Sequence, residues 1–370
     1  MYNNTRNVKE NSTLRGLINR NLRLNLVFMK YYFLVLIFLF TGCATKKALE
    51  DPGKIEVQKI WDQAPHSAFT DLIRFNNSFY CTFREGTGHV SGPGGTGRVI
   101  KSADGKTWQS LTSFSMDGMD LRDPKLSVTP DNRIMVLIDV ETYKDGKVDT
   151  RKPFVSYSDK RGETFSAPVA SGIDPKIAVK SDWVWRVTWN KGIGYAINYQ
   201  PGAIYLVKTN DGKYFENVTK IDLDGSPNEC TIRFDKNDRM YVLIRREEGD
   251  KKGILATSEA PYVSWQFNKL DQRLGGPNFI FLNDTTFCIG SRYYPEDMKE
   301  ERNLSKHKSA IFMTDLKGKI LKTIPIEQSG GDTSYPGMLI YKKQIWYSYY
   351  SSHEGKTSIY LAKIPLTVFN

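Results

Sequence analysis

A hairpin-like pattern that recurs six times constrains the fold of this chain more than any other feature of the sequence. Most copies have two runs of β-branched and aromatic residues around a turn rich in Asn, Asp and Lys, which is the signature of a β-hairpin. The copies are FTDLIRFNNSFYCTFRE from Phe69, LRDPKLSVTPDNRIMVLID from Leu121, VWRVTWNKGIGYAINYQ from Val184, NECTIRFDKNDRMYVLIRR from Asn228, NFIFLNDTTFCIGSR from Asn278 and YPGMLIYKKQIWYSYY from Tyr335. Their starts lie about 50 residues apart, a period typical of repeat proteins. The pattern therefore predicts an all-β repeat protein.

A second turn motif lies between these hairpins. It reads SADGKTW from Ser102 and TNDGKYF from Thr209, with a longer variant, SDKRGETF, from Ser158. We expect the Asp to accept backbone N–H bonds in the turn, the Gly to supply a positive φ, and the aromatic residue to pack between sheets.

These turns resemble the Asp-box repeats of sialidases and other six-bladed β-propellers. The resemblance implies an all-β, six-bladed β-propeller of four-stranded antiparallel blades with Asp-box turns. Six blades of about 54 residues account for the chain from Lys54 to Asn370. We expect one propeller domain, 55–370, in which Ile55–Trp61 pairs with Thr357–Ile364 and closes the ring without an exposed edge. The Asp box is structural, so its aspartates are not catalytic candidates.

The first 43 residues have the features of a secretory signal. The apolar run Tyr31–Phe40 is too short to span a bilayer, follows a basic flank and ends in small residues before Cys43. The sequence FTGC resembles a bacterial lipobox, which implies that Cys43 is lipidated. A start at Met29 would give a compact signal. We expect a signal peptide at 1–43, a tether at 44–54 and a lipid-anchored extracytoplasmic protein, periplasmic or at the cell surface. A plain membrane-anchoring helix is the alternative.

Charge and cysteine usage narrow the classes of partner. The net charge is +11, but nearly half of the excess lies in residues 1–43 and the remaining charges are interspersed, so we expect no nucleic-acid binding. Cys81, Cys230 and Cys288 are odd in number and lack metal-ligand spacing, so we expect buried thiols without a disulfide framework. No motif requires a metal or a cofactor.

The register of the repeat predicts where a site lies. In a propeller, the innermost strand of each blade starts at one mouth of the central channel and the next strand returns to it. The converging positions are Thr70, Asp71, Arg122, Asp123, Trp185, Arg186, Asn228, Glu229, Asn278 and Tyr335 at the starts, and Arg84, Glu85, Asp139, Gln200, Arg245, Arg246, Arg292 and Tyr350 at the ends. So much Arg, carboxylate and Tyr favours a pocket for an anionic or polyhydroxylated ligand.

Four of these positions resemble functional positions of sialidases. Glu229, followed sixteen residues later by Arg245, resembles the pairing of a catalytic Glu with an Arg that binds the substrate carboxylate. Arg292 is placed like another Arg of that triad, and Tyr335 like the tyrosine nucleophile. The resemblance implies an exo-acting glycoside hydrolase that releases a terminal acidic sugar with retention, with Tyr335 activated by Glu229.

Two departures from the sialidase pattern concern the first blade. The Arg-Ile-Pro motif that usually opens it is replaced by AFTD, so Arg84 or Arg122 would have to substitute for the missing Arg. The acid/base Asp of the following loop is also absent; that loop offers Glu85 or His89, and Asp71 is the nearest Asp. We expect Asp71 or His89 to protonate the leaving oxygen.

Three further positions complete the predicted site. Asp123 sits like an Asp that sialidases place on the pocket wall. Arg245 and Arg246 are adjacent and point to opposite faces, so we expect Arg245 to line the pocket. Trp185 is a candidate for stacking on a sugar ring, with core packing as its alternative role.

Two other functions remain open. The altered first blade favours a propeller glycosidase or lyase that acts on another acidic, uronate-containing glycan. A vacant acid/base position would favour a non-catalytic glycan-binding surface lipoprotein. In every case we expect a glycan partner, a lipid-mediated membrane attachment and a monomer.

Overall fold

A computed structural model of the protein describes residues 53–90, 92–295 and 306–370. The predicted signal peptide, the start at Met29, the lipidation of Cys43 and most of the tether lie outside the described residues. In the described ranges no helix is long and apolar enough to cross a membrane.

The six hairpins of the sequence form the two inner strands of six blades, which confirms the predicted six-bladed β-propeller. From the channel outward, blade 1 contains β2 (His66–Phe75), β3 (Ser78–Gly86), β4 (Thr96–Ser102) and β5 (Gln109–Phe114). Blade 2 contains β6 (Met119–Val128), β7 (Ile134–Lys144), β8 (Lys147–Tyr157) and β9 (Val169–Ala170). Blade 3 contains β11 (Trp183–Asn190), β12 (Ile193–Gln200), β13 (Ala203–Thr209) and β14 (Tyr214–Ile221), with the short β10 (Gly172–Ile173) added parallel to β14.

The remaining three blades repeat the antiparallel order. Blade 4 contains β15 (Pro227–Phe234), β16 (Met240–Arg246), β17 (Lys252–Ser258) and β18 (Gln266–Arg273). Blade 5 contains β19 (Asn278–Asn283), β20 (Thr286–Tyr293), β21 (Lys308–Asp315) and β22 (Ile320–Ile326). Blade 6 contains β23 (Thr333–Tyr341), β24 (Gln344–Ser351), β25 (Ser358–Pro365) and β1 (Glu56–Trp61), and a short 3-10 helix (Leu366–Phe369) follows.

The first strand closes the ring, as the sequence predicts. β1 pairs antiparallel with β25, from Glu56 opposite Lys363 to Trp61 opposite Ile359. The outermost strand of blade 6 is therefore supplied by the N-terminal end of the propeller sequence. This pairing protects the edge of β25, which would otherwise be free to pair.

Apolar side chains fill the space between blades. Phe79 of blade 1 stacks on Trp346 of blade 6 with ring centroids 4.1 Å apart. Cys81, Cys230 and Cys288 are buried free thiols, as expected.

The outer turns are held by polar contacts. In the turn after β4, Asp104 Oδ1 accepts hydrogen bonds from the backbone N–H groups of Lys106 and Thr107, and Ser102 Oγ accepts one from Gly105. The bonds from Thr107 and Lys106 lower the pKa of Asp104 to about 2. Oδ1 of Asp104 therefore fixes the turn.

One backbone irregularity recurs at the start of the innermost strands. In five blades the pairing register shifts near the start of the strand, and a residue at the shift has a positive φ, which is uncommon for non-glycine residues and typical of a bulge. These residues are Phe69 (φ 65°), Asp123 (44°), Arg186 (39°), Glu229 (38°) and Tyr335 (53°). In blade 5 a positive φ occurs at Gly276 (59°), two positions before β19 begins at Asn278, without a shift of the pairing register there. The bulge positions supply the centre of the candidate site.

Candidate functional site

Tyr335, Glu229 and Arg245 form a three-membered cluster drawn from blades 6 and 4. The Tyr335 hydroxyl donates a hydrogen bond of 2.5 Å to Glu229 Oε1. Arg245 Nη1 lies 3.2 Å from the same hydroxyl oxygen and forms an ion pair with Glu229 Oε2. Arg245 also pairs with Glu247, so its guanidinium has a carboxylate on both sides. The structure thus brings together three residues that are up to 106 positions apart.

The electrostatics of this cluster fix where its proton lies. Burial raises the pKa of Tyr335 well above its ordinary value, the Glu229 charge raises it further, and the nearby Arg245 opposes both effects. In the free protein Tyr335 therefore keeps its proton at neutral pH, with a carboxylate oxygen positioned to accept it.

Aromatic residues hold the ring of Tyr335. Its centroid lies 5.0 Å from that of Phe69, 6.0 Å from that of Trp185 and 5.9 Å from that of Tyr350. Gly276 completes the enclosure, because a Cβ at this position would lie 2.2 Å from a carbon of the Tyr335 ring. This glycine, which precedes β19 in blade 5, is therefore what leaves room for the tyrosine.

Arg292 is in contact with Tyr350, one of the aromatic residues around Tyr335. Its Nε donates to the backbone carbonyl of Thr333 at 2.8 Å, and its Nη2 lies 3.3 Å from the Tyr350 hydroxyl. The same Nη2 is 3.6 Å from Asp332 Oδ1. Its guanidinium is partly exposed, so it can offer donors to a ligand.

Asp332, which the sequence analysis did not single out, contacts the predicted residues Tyr350 and His89 and the unpredicted His66. Its Oδ1 accepts a hydrogen bond from Tyr350, and its Oδ2 lies 2.7 Å from His89 Nδ1 and 3.3 Å from His66 Nε2. Burial alone would raise the pKa of the Asp332 carboxyl, but the contacts with His66 and His89 outweigh burial and hold it well below its usual range. Asp332 precedes the sixth hairpin, and only its position three residues before Tyr335 pointed towards the site.

Arg84 and Arg122 are engaged within the protein. Arg84 forms a two-pronged pair with Asp120, with Nε–Oδ1 at 2.7 Å and Nη2–Oδ2 at 2.9 Å, and neither side chain is exposed. Arg122 lies 3.7 Å from Asp120 and 3.6 Å from Glu141, with its guanidinium over the Phe69 ring. The structure therefore does not bring Arg84 into the Tyr335 cluster.

Asp71 and Trp185 are also buried. Asp71 Oδ1 pairs with Arg186, and its Oδ2 accepts a hydrogen bond of 2.9 Å from the backbone N–H of Leu126. Trp185 is 1% exposed, so it supports Tyr335 from within and has no open face for a sugar. Arg246 turns away from Arg245, and its Nε donates to the Lys252 carbonyl.

Asp123 and Lys125 add a buried pair of charges near the cluster. Burial raises the pKa of the Asp123 carboxyl, against the charges of Lys125 and Arg122. Burial lowers the pKa of Lys125 to about 8, with Asp123 opposing. Lys125 Nζ donates to the Phe69 carbonyl at 3.2 Å and lies 4.8 Å from the Trp185 ring centroid. Sequence reasoning missed Lys125, although it lies two residues after Asp123 in the same hairpin.

A small cavity opens between blades 3 and 4, next to the residue that precedes Glu229. It has a volume of about 190 Å³, and its lining includes Arg151, Trp183, Tyr199 and Asn228. The Trp183 and Tyr199 rings stack on each other with centroids 5.6 Å apart and form an aromatic part of this lining.

Comparisons with known proteins concern the fold. No protein-family model matches the sequence, and no curated protein matches it. A solved protein of unknown function from Dyadobacter fermentans is 18% identical, with a TM-score of 0.71 over 84% of this chain and 99% of that one. A Trypanosoma rangeli sialidase in complex with the inhibitor DANA is 10% identical, with a TM-score of 0.63 over 81% of this chain and 55% of that one.

A bacterial sialidase is similar to the same degree. The enzyme from Streptococcus pneumoniae is 8% identical, with a TM-score of 0.62 over 86% of this chain and 71% of that one. The chain spans only about half of the Trypanosoma rangeli protein. At these identities the similarity establishes a sialidase-like propeller fold.

Proposed function

We propose that this propeller is an exo-acting, retaining glycoside hydrolase that removes a terminal acidic sugar, with Tyr335 as nucleophile and Glu229 as its base. The observation that carries the proposal is the 2.5 Å hydrogen bond from the Tyr335 hydroxyl to Glu229, with Arg245 in contact with both. A tyrosine paired with a carboxylate suits a substrate whose anomeric carbon bears a carboxylate, since a near-neutral nucleophile avoids the repulsion that an anionic one would meet.

In the first step the Tyr335 oxygen attacks the anomeric carbon while its proton passes to Glu229. Arg245 stabilises the phenolate character that develops, because its guanidinium already lies 3.2 Å from that oxygen. The bond between the anomeric carbon and the leaving oxygen breaks, and the leaving oxygen takes a proton.

His89 is the better placed of the two predicted acids, since Asp71 is buried in its pair with Arg186. His89 Nδ1 faces Asp332, which leaves Nε2 to give up the proton. In the second step the same nitrogen accepts a proton from water as the water attacks the glycosyl–tyrosine bond. The second displacement restores the original anomeric configuration and frees Tyr335.

Arg292 and Arg245 are the proposed partners of the substrate carboxylate. Both guanidinium groups are partly exposed and lie close to Tyr335 and Tyr350, whereas Arg84 is closed off by Asp120. Asp123 and Arg122 remain proposed parts of the pocket wall.

A second candidate, a glycosidase acting on a uronate, is favoured by the first blade. Phe69 occupies the bulge there, and Arg84, one of the two arginines expected to replace the missing one, is committed to Asp120. A carboxylate attached at a different ring carbon would need fewer arginines near the anomeric centre.

The test compares a fluorogenic α-sialoside with a fluorogenic uronide, using the purified protein and its Tyr335→Phe variant. We expect turnover of the sialoside, and a fall in kcat of at least about 10³-fold in the variant because the nucleophile is lost. Tyr349→Phe is the matched control, since the Tyr349 hydroxyl bonds the Gln328 carbonyl and does not contact Glu229.

Full activity in Tyr335→Phe would refute the proposed nucleophile. Turnover of the uronide alone would select the second candidate. Binding of acidic glycans by folded protein without any turnover would favour the non-catalytic lipoprotein.

A further inference from the structure

We propose that His66, His89 and Asp332 form a binding site for one divalent transition-metal ion of the Zn²⁺ class, beside the Tyr335–Glu229 pair. Each of the three residues offers one ligand atom, and these atoms lie within 4.8 Å of one another. Two imidazole nitrogens with one carboxylate oxygen are a donor set that such ions prefer.

The geometry needs little change to accept an ion. Zinc with bonds of about 2.0–2.2 Å places tetrahedral ligands about 3.3 Å apart. Asp332 Oδ2 is already 3.3 Å from His66 Nε2 and 2.7 Å from His89 Nδ1. The two imidazole rings meet edge to face, with centroids 5.9 Å apart. The remaining adjustments fall on the 2.7 Å contact between Asp332 and His89, which must lengthen, and on the distance between the two histidine nitrogens.

His66 is held on a strand, whereas Asp332 and His89 lie in loops, of which the one with Asp332 is anchored. His66 opens β2, is almost fully buried and bridges to Thr357. Asp332 is anchored through its backbone N–H, which donates to Ser352 Oγ at 2.8 Å. His89 lies in the loop after β3 with 42% of its side chain exposed, so it can adjust to the ion and leaves a coordination position open.

The two oxygens of the Asp332 carboxylate have different partners. Its Oδ1 accepts the Tyr350 hydroxyl at 2.9 Å and faces Arg292, while its Oδ2 faces the two histidines. Such an outer contact orients a ligating carboxylate. The nearby Arg292 weakens the attraction for a cation, so we expect a reversible site, weaker than a closed four-ligand structural one.

An ion here would bear on activity through His89. Zinc at His89 Nδ1 fixes the neutral ring with its proton on Nε2, so the ring cannot cycle between donor and acceptor. Zinc is therefore expected to inhibit hydrolysis; this consequence rests on the proposed function, whereas the binding does not.

The test is titration of tag-free protein with ZnCl₂ in a calorimeter, without substrate. We expect one Zn²⁺ per chain. His66→Ala and His89→Ala should each weaken binding more than about 100-fold, beyond the 10–100-fold typical of outer contacts, and Tyr350→Phe by about 10-fold. His353→Ala is the control, since His353 lies against Ser351 and Glu354, apart from the cluster.

A second measurement guards against variants that fold poorly. Zinc should raise the Tm of the wild-type protein and of His353→Ala, but not that of His66→Ala or His89→Ala. Failure of the wild type to bind zinc, or binding that is unchanged in both histidine variants, would overturn the proposal. Because neither readout involves hydrolysis, loss of the proposed enzymatic function would leave this result intact.

Discussion

Blades 1 and 2 (the closed side) and blades 4 to 6 (the open side) carry charged residues at the same mouth of the channel. The charges on the two sides differ in their exposure to solvent. Arg84 and Asp120 pair with no exposure of either side chain. Arg245 and Glu229 pair with 15% and 10% of their side chains exposed. An Arg at the end of the second strand of a blade is thus a candidate for ligand binding on the open side and a member of a buried ion pair on the closed side. The carboxylate partner of the Arg determines which of the two roles it has.

Glycines explain why the first pair is closed. A Cβ at Gly95 would lie 1.7 Å from Asp120 Oδ1, and one at Gly86 would lie 2.6 Å from Arg84 Nη1. Both backbone segments approach the ion pair so closely that no side chain fits between them. Blades 1 and 2 are therefore shaped around this pair, which excludes it from contact with a ligand.

Breaking the buried Arg84–Asp120 pair tests the difference between the two sides most directly. Arg84→Met leaves the Asp120 carboxylate buried without its main partner, so we expect a loss of up to about 5 kcal/mol in the free energy of unfolding, measured by urea denaturation. Arg245→Met should cost less than about 2 kcal/mol, because Glu229 keeps the hydrogen bond from Tyr335 and 10% of its side chain is exposed. Equal losses in the two variants would contradict the contrast between the two sides.

On the open side the largest expected effect is on catalysis. Glu229→Gln keeps a hydrogen-bond acceptor for Tyr335 but cannot take its proton, so we expect kcat to fall about 10³-fold, or about 4 kcal/mol in the barrier. Glu247→Gln removes the other carboxylate on Arg245 and should change kcat less than about 10-fold. If both variants lose activity equally, the charge balance around Arg245 matters and proton transfer to Glu229 does not.

The sequence predicts the fold and part of the candidate site because both follow from the repeat. Hairpin periodicity is local, and the register of the strands then places Glu229 and Arg245 at one mouth with Tyr335. The same register could not tell that Arg84 is closed off, since its partner Asp120 lies in the next blade. It also missed Asp332, which lies in a connecting loop outside any repeat and acquires its role only when the ring closes.

The bulges, with their positive φ angles, could not be predicted from the sequence either. A positive φ at Glu229 or Tyr335 is unfavourable for the residue itself, so local propensity argues against it. Only the packing of six blades around one channel imposes it. Gly276, which precedes β19 in blade 5, admits the Tyr335 ring, and nothing in the local sequence marks it for this role.

Gly276→Ala tests whether the open side depends on this fit. The new methyl group would lie 2.2 Å from a carbon of the Tyr335 ring, and the alanine would have to adopt a φ of 59°. The ring must therefore shift. A misplacement of about 1 Å can reduce the rate about 10²-fold, and we expect a fall in kcat of that size. The control is Gly118→Ala, which has a similar φ of 70° but nothing within 4 Å of the added carbon. Equal activity in the two variants would show that Tyr335 is not positioned by blade 5.

The smallest effect concerns a buried histidine on the positively charged open side. His307 is 1% exposed, and among the described residues neither ring nitrogen has a hydrogen-bond partner. Burial, together with the charges of Arg292 and Arg273, lowers its pKa to about 4. Below the ordinary histidine pKa of about 6.5 the unfolded chain binds a proton that the folded chain does not, so stability falls as the pH decreases towards 4.

Between pH 7 and pH 5 this linkage amounts to about 2 kcal/mol in the free energy of unfolding. His307→Phe, which cannot titrate, should lower the dependence of urea-measured stability on pH by that amount. An unchanged pH dependence would mean that folding does not lower the pKa of His307. Asp332 would then balance the charges of Arg292 and Arg273 at this histidine, as Asp120 balances Arg84 in blades 1 and 2.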